Sequence, residues 1–246
     1  MATWIVGDIH GCAEELQALL ARLAPTPADR LVALGDLFHR GPDAAGVLDL
    51  LVAHRFLFLL GNHEERVLRR VRLAPDAPDG SDRPPRRTEF PPLVAGDLAG
   101  DGGRPLAAPP ERYGEVLRFL QGHSGYFLRP AAIEGAGPTP DGRGWLVVHA
   151  GLSIERGPEG STVEELVYPP RVRRRGRPLW FEAWEGPELA VFGHLPAPAP
   201  RRLHAGGHLV ALGIDTGCVY GGALSAYSPE RDEIVSVPAA RVYAEL

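Results

Sequence analysis

Lysine is absent from this chain: all 26 of its Lys and Arg positions are arginine. That excludes a Walker A phosphate loop, a kinase-type phosphate lysine and a Schiff-base nucleophile. Any handling of phosphate must fall to arginine, histidine, metal ions or backbone amides. Cysteine is nearly as scarce. Cys12 and Cys218 are too few for a disulfide framework or a cysteine zinc site, and read as free thiols of a reducing compartment. Long apolar runs are missing too, none approaching the roughly 20 residues of a membrane span, so no membrane partner is expected. The N-terminus carries no charged, apolar and small-residue signal pattern, which points to a cytoplasmic protein. A net charge of -5 leaves no basic footprint for nucleic acid. Asparagine occurs once, as Asn62, directly after an apolar run and beside His63. A residue type otherwise avoided is kept there for chemistry.

With 246 residues the chain is long enough for one large domain over residues 1–246, and it holds no internal repeat. Three successive units share one plan. Thr3 to Asp8 reads as a buried strand ending in an acid, followed by a helix with Leu16, Leu19, Leu20 and Leu23 on one face. Leu31 to Asp36 repeats this, with a helix opening at Pro42 and carrying Val47, Leu48, Leu51 and Val52. Phe56 to Leu60 is the third strand, followed by Asn62 and a helix to about Val71. Repeated strand, polar loop and helix units predict a parallel sheet with crossovers, whose ligand site lies beyond the C-terminal strand edges.

Residues 74–110 turn to Pro, Gly, Asp and Arg and are expected to form a mobile insertion, whose arginines Arg83, Arg86, Arg87 and Arg104 face solvent more often than substrate. Glu111 to Gly122 reads as an amphipathic helix, and Thr162 to Val167 as a short one. Strands are predicted at Trp145 to Val148, Leu189 to Phe192, Leu209 to Ile214, Ala223 to Tyr227 and Ile234 to Val237, giving a mixed or second sheet. The basic run Arg171 to Arg177 suits phosphate or the surface better than nucleic acid.

Five strand exits then carry Asp8 with His10, Asp36, Asn62 with His63, His149, and His194. One such residue is usually a cap or a solvated side chain. Five exits presenting oxygen and imidazole donors together point to a metal site. Without thiolate, and with imidazole present, the set suits Mn, Fe, Zn or Co rather than Ca. Two ions sharing a carboxylate lie about 3.5 to 4 Å apart, a spacing that activates a water and neutralises phosphate oxygens.

Gly7-Asp8-Ile9-His10-Gly11, Gly35-Asp36-Leu37-Phe38-His39-Arg40-Gly41, Gly61-Asn62-His63-Glu64, His149-Ala150-Gly151 and Gly193-His194 resemble the motifs of the calcineurin-like metallophosphoesterases in order, spacing and strand context. The resemblance runs from Gly7 to about Ala226 and leaves 74–110 uncovered. It implies an α/β fold, a double β-sheet sandwich flanked by helices in four layers. It also implies two divalent transition-metal ions, manganese first and iron, zinc or cobalt otherwise. Asp8 and His10 would hold the first ion, Asp36 would bridge, and Asn62, His149 and His194 would hold the second. His63 would protonate the leaving group and Arg40 would clamp the phosphate.

Many members of that superfamily carry a second histidine two residues after the last motif histidine, where this chain has Pro196. That points to the phosphoprotein phosphatase branch. The opening Met1-Ala2-Thr3 and the run Ile214-Asp215-Thr216-Gly217-Cys218-Val219-Tyr220-Gly221-Gly222 look closer to its symmetrical diadenosine tetraphosphatases. The protein phosphatases place an aspartate before the motif arginine, and here it is His39. Neutral His39 can accept a hydrogen bond from His63, whereas two protonated rings would repel. His39 is therefore expected to tune His63 or touch substrate without binding metal. Tyr220 either faces the site or simply packs. The expected substrate is diadenosine tetraphosphate, cleaved symmetrically to ADP by in-line attack of water. A phosphoserine or phosphothreonine protein is the alternative, and a non-catalytic phospholigand binder the minor one.

Overall fold

The computed structural model describes residues 1–72, 106–172, 176 and 178–245. The first sheet has the order β10-β9-β1-β2-β3, built from β1 (Thr3–Val6), β2 (Arg30–Ala33), β3 (Leu57–Phe58), β9 (Ala223–Ser228) and β10 (Glu233–Pro238). The strands β1, β2 and β3 are parallel, with Ile5 opposite Val32 and Val32 opposite Leu57. Between them run the crossover helices α1 (Ala13–Leu23) and α2 (Ala44–Ala53). Helix α2 starts after its predicted opening at Pro42: the Asp43 carboxylate accepts the Gly46 N–H at 2.7 Å and so acts as its cap. After β3 comes α3 (Asn62–Arg72) and then α4 (Tyr113–Gln121).

The second sheet has the order β4-β5-β6-β8-β7, from β4 (Phe127–Leu128), β5 (Trp145–Val148), β6 (Leu189–Phe192), β7 (Arg201–Ala205) and β8 (His208–Gly213). Here β5, β6 and β8 are parallel and the two edges antiparallel. The short helix α5 (Val163–Val167) follows β5, and a 3-10 turn at Trp180–Ala183 precedes β6.

Alternation along single strands explains why the sheets stack. In β1, Trp4 and Val6 enter the core shared with α1, α2 and α4, while Ile5 enters the core between the sheets. In β5, Trp145 and Val147 enter that same central core, and Leu146 and Val148 pack outward against Trp180, Phe181 and Trp184. Since successive side chains point to opposite faces, strands apolar at every position are buried on both sides. The result is helices, sheet, sheet and an outer helical and aromatic layer, the α/β double-sheet architecture expected above. Strands β4 and β7 were not predicted.

Most of the 74–110 insertion lies outside the described residues. Its last part is ordered against the core, with Leu106 buried and the Ala107 carbonyl accepting the Ala44 N–H at 3.0 Å. Among the described residues no helix is long and apolar enough to cross a membrane.

Candidate active site

The parallel strands of both sheets deliver their C-terminal edges to one place, and Asp8, His10, Asp36, Asn62, His63 and His149 are all buried there, with His194 half-buried. The loops that carry them are bound to one another by backbone. His10 N–H donates to the Asp36 carbonyl at 2.7 Å, Gly11 N–H to Leu37 at 2.8 Å, and Gly193 N–H to His149 at 2.8 Å. These turns use unusual backbone. Of the non-glycine residues with positive φ among the described residues, four belong to the site: His10 (50°), Asp36 (49°), Arg40 (77°) and His194 (65°). L-residues rarely adopt this left-handed conformation, so the fold holds these side chains against local preference. Close packing does the rest. A Cβ on Gly61 would sit 2.2 Å from Asp36 Oδ1, and one on Gly35, at φ 108°, would sit 2.5 Å from Gly61 N.

Asp36 lies at the centre. Its Oδ2 is 3.6 Å from His10 Nε2 and its Oδ1 is 3.6 Å from His149 Nε2. Donor atoms of His10, Asp36 and His63 fall within 4.8 Å of one another, and so do those of Asp36, His149 and His194. Two clusters thus share one carboxylate. Asp8 belongs to neither: its oxygens accept the His194 N–H at 3.0 and 3.2 Å. The expected ligands are gathered, with Asp8 at the flank.

The proton positions suit a cation. His149 Nδ1 faces the Leu34 carbonyl at 3.1 Å, which assigns the proton to Nδ1 and leaves Nε2 a lone pair. His10 Nδ1 faces the His39 carbonyl at 3.1 Å with the same consequence. The His149 lone pair meets Asn62 Oδ1 at 3.2 Å, and His194 Nδ1 meets the same oxygen at 3.1 Å. Rotating the Asn62 amide puts N–H groups toward both rings and Asp36. A bound cation reconciles the same atoms without rotation, and carboxylate, amide oxygen and imidazole are donors a borderline divalent ion accepts. Burial keeps the rings neutral, the form that binds metal. It pushes His149 and His63 down to about 3 and His194 to about 4, and His10 well below its ordinary value. Burial, then Asp215 and Asp36, pushes Asp8 well up, and burial also raises Asp36.

Arg40 donates to the Tyr220 hydroxyl, and its guanidinium stands 5.7 Å from the centre of that ring. Tyr220 therefore faces the site. The His39 ring lies 4.9 Å from that of His63, so the two are neighbours as expected. Of the basic run, Arg173, Arg174, Arg175 and Arg177 lie outside the described residues.

Two residues were not singled out from the sequence. Glu64 is fully buried, and its carboxylate accepts N–H groups from Asp36 at 2.7 Å, Leu37 at 2.9 Å and Gly61 at 3.1 Å. It ties the loop after β2 to the loop after β3, and burial, followed by Asp36, raises its pKa to about 7. Its position in the fourth place of Gly61-Asn62-His63-Glu64 was the available signal. Asp215 is buried, accepts the Gly217 N–H at 3.0 Å, and is pushed up to about 6, chiefly by burial.

Comparison with known proteins agrees. Over 97% of this chain and 95% of the relative, the chain is 27% identical to the asymmetrical bis(5'-nucleosyl)-tetraphosphatase PrpE of Anoxybacillus flavithermus. It is 32% identical to the symmetrical bis(5'-nucleosyl)-tetraphosphatase of an Acidovorax species, over 92% and 91%. A crystal structure of a protein described as a candidate diadenosine tetraphosphatase superposes with a TM-score of 0.67 at 28% identity, covering 96% of this chain and 93% of the other. Residues 1–227 match the calcineurin-like phosphoesterase family. The chain therefore belongs to that family, hydrolases whose site implies a pair of divalent metal ions.

Proposed function

We propose that this chain hydrolyses dinucleoside tetraphosphates, with diadenosine tetraphosphate as substrate and two molecules of ADP as products. The observation that carries the reading is the Asp36 carboxylate shared between two donor clusters at the joint edge of both sheets. The similarity to tetraphosphatases over nearly the whole chain supports the substrate class.

Asp36 bridges in this reading, Asp8 and His10 serve one side, and Asn62, His149 and His194 the other. Bound there, divalent ions would supply an activated water and neutralise phosphate oxygens, with manganese as the ion proposed and iron, zinc or cobalt as alternatives that the same donors accept. Arg40, steadied by Tyr220, holds the phosphate and stabilises the charge that develops on it. Water adds to the second phosphorus and gives up one proton to solvent, the anhydride between the second and third phosphates breaks, and both halves are released as ADP. His63 gives its proton to the departing oxygen. The negative charge of the polyphosphate favours the protonated imidazole, whose ring lies 4.9 Å from that of His39, close enough for the protonation of either to affect the other. Glu64 binds no substrate and holds the Asp36 loop in place.

The Anoxybacillus relative favours a second reading, cleavage of an outer anhydride to ATP and AMP. Product analysis with manganese, cobalt and magnesium supplied in turn separates them. ADP alone supports the proposal, and ATP with AMP supports the second reading. Inorganic phosphate from phosphopeptides, with diadenosine tetraphosphate untouched, sinks both in favour of a protein phosphatase.

A further inference from the structure

The two cysteines, 206 positions apart in the sequence, meet in the fold. Cys12 caps the N-terminus of α1 without using its side chain for the cap. Its Sγ, the Cys218 Sγ and a carboxylate oxygen of Glu15 lie within 4.8 Å of one another, and all three residues are buried. None of them belongs to the strand-exit constellation.

The second observation is the state of Glu15. Its Oε1 accepts the Ala240 N–H at 2.9 Å and the Tyr243 hydroxyl at 2.8 Å, which fixes the side chain. Its Oε2 is buried and has no hydrogen-bond partner among the described residues. No cationic side chain among the described residues pairs with Glu15. A carboxylate oxygen taken out of water with nothing to meet it is unfavourable, and a proton or a cation relieves it. The same Glu15 carboxylate brings an oxygen to within 4.8 Å of two thiols, donors that a borderline-soft divalent ion prefers.

The three donor atoms lie within 4.8 Å of one another, and an ion between them would draw them closer. Around tetrahedral zinc, with Zn–S about 2.3 Å and Zn–O about 2.0 to 2.2 Å, neighbouring donor atoms stand roughly 3.5 to 3.8 Å apart. We propose that Cys12, Glu15 and Cys218 bind one structural divalent ion of the zinc class, with a small ligand in the fourth position. Because the three donors are enclosed, the ion is taken up as the chain folds, and each thiol loses its proton to solvent on binding. The ion joins the start of α1 to the loop that carries Tyr220. Through Glu15 it also joins the segment holding Ala240 and Tyr243.

Cadmium is the probe, present while the full-length chain is refolded and before manganese is supplied, with bound metal counted by mass spectrometry and ultraviolet thiolate-to-cadmium absorption recorded. The wild type is expected to take up one thiolate-bound cadmium per chain. Cys12→Ala and Cys218→Ala should each lose that equivalent and its absorption while still binding manganese. Cys12→Ser and Cys218→Ser take their place if an alanine variant fails to fold. Glu15→Gln should weaken cadmium binding at least about tenfold. The proposal is overturned if the wild type shows no thiolate absorption, if the absorption survives both cysteine changes, or if Glu15→Gln binds as tightly as wild type. A Cys12–Cys218 disulfide in protein prepared under reducing conditions also overturns it.

Discussion

The Glu64 carboxylate accepts the backbone N–H of Asp36 at 2.7 Å, so the central acid of the site is positioned through its own main chain. Glu64→Ala strands the amides of Asp36, Leu37 and Gly61. Each buried donor left unmet costs about 1 to 3 kcal/mol. The variant should lose at least about 2 kcal/mol in urea unfolding and bind manganese about 10- to 100-fold more weakly. Glu64→Gln, which keeps one acceptor oxygen, should fall between. Wild-type stability in the alanine variant would remove Glu64 from this role.

Asn62 and His63 are adjacent and should separate in function. Asn62→Ala removes an oxygen facing both His149 and His194, and is expected to lower metal occupancy measured by elemental analysis. His63→Ala should retain its metal and lose turnover by about 10²- to 10⁴-fold, the usual worth of a proton donor. Full metal in the Asn62 variant, or unaltered turnover in the His63 variant, contradicts the assignment.

His39 meets one neighbour with its backbone and another with its ring. The carbonyl orients His10, while the side chain lies beside His63. His39→Ala preserves the carbonyl, so metal content should stay at the wild-type level and the pH profile of kcat should shift. A folded variant that has lost metal would show the ring to be a ligand.

Chelation offers a test that needs no substrate. Asp8, Asp36, Glu64 and Asp215 are buried close enough to raise one another's proton affinity. Ions that bind only the folded chain add about 2.7 kcal/mol at a hundredfold excess over Kd. For a protein of this size that is about 5 to 10 °C in Tm, expected to disappear with a chelator and return with manganese. A melting curve indifferent to both would argue against a metal centre.

The strand exits were legible because an apolar run delivering Asp, Asn or His is both a folding signal and a chemical one. Those runs gave β1, β2, β3, β5 and β6, and with them every donor the structure gathers. Strand β7 was invisible for the opposite reason. Arg201 to Ala205 is a half-exposed edge whose two arginines and histidine carry no apolar pattern, and its pairing with β8 comes only from the fold. Glu64 was visible as a letter but not as a role. A glutamate in the first turn of a helix ordinarily faces water and the helix dipole, and only the return of the Asp36 loop buries it. Likewise, no spacing rule links Cys12 to Cys218.

The left-handed backbone at His10, Asp36, Arg40 and His194 sets stability against activity. Glycine at any of them would relieve roughly 1 kcal/mol of conformational strain, and at Asp36 it would also remove a buried acid. At Asp36 that gain is offset, because Asp36→Gly strands the His63 N–H that the carboxylate accepts at 3.2 Å and gives up the stabilisation expected from bound ions. Libraries built to harden this protein should hold these four positions fixed, because glycine there would relax the backbone by removing the side chains that the proposed reaction uses.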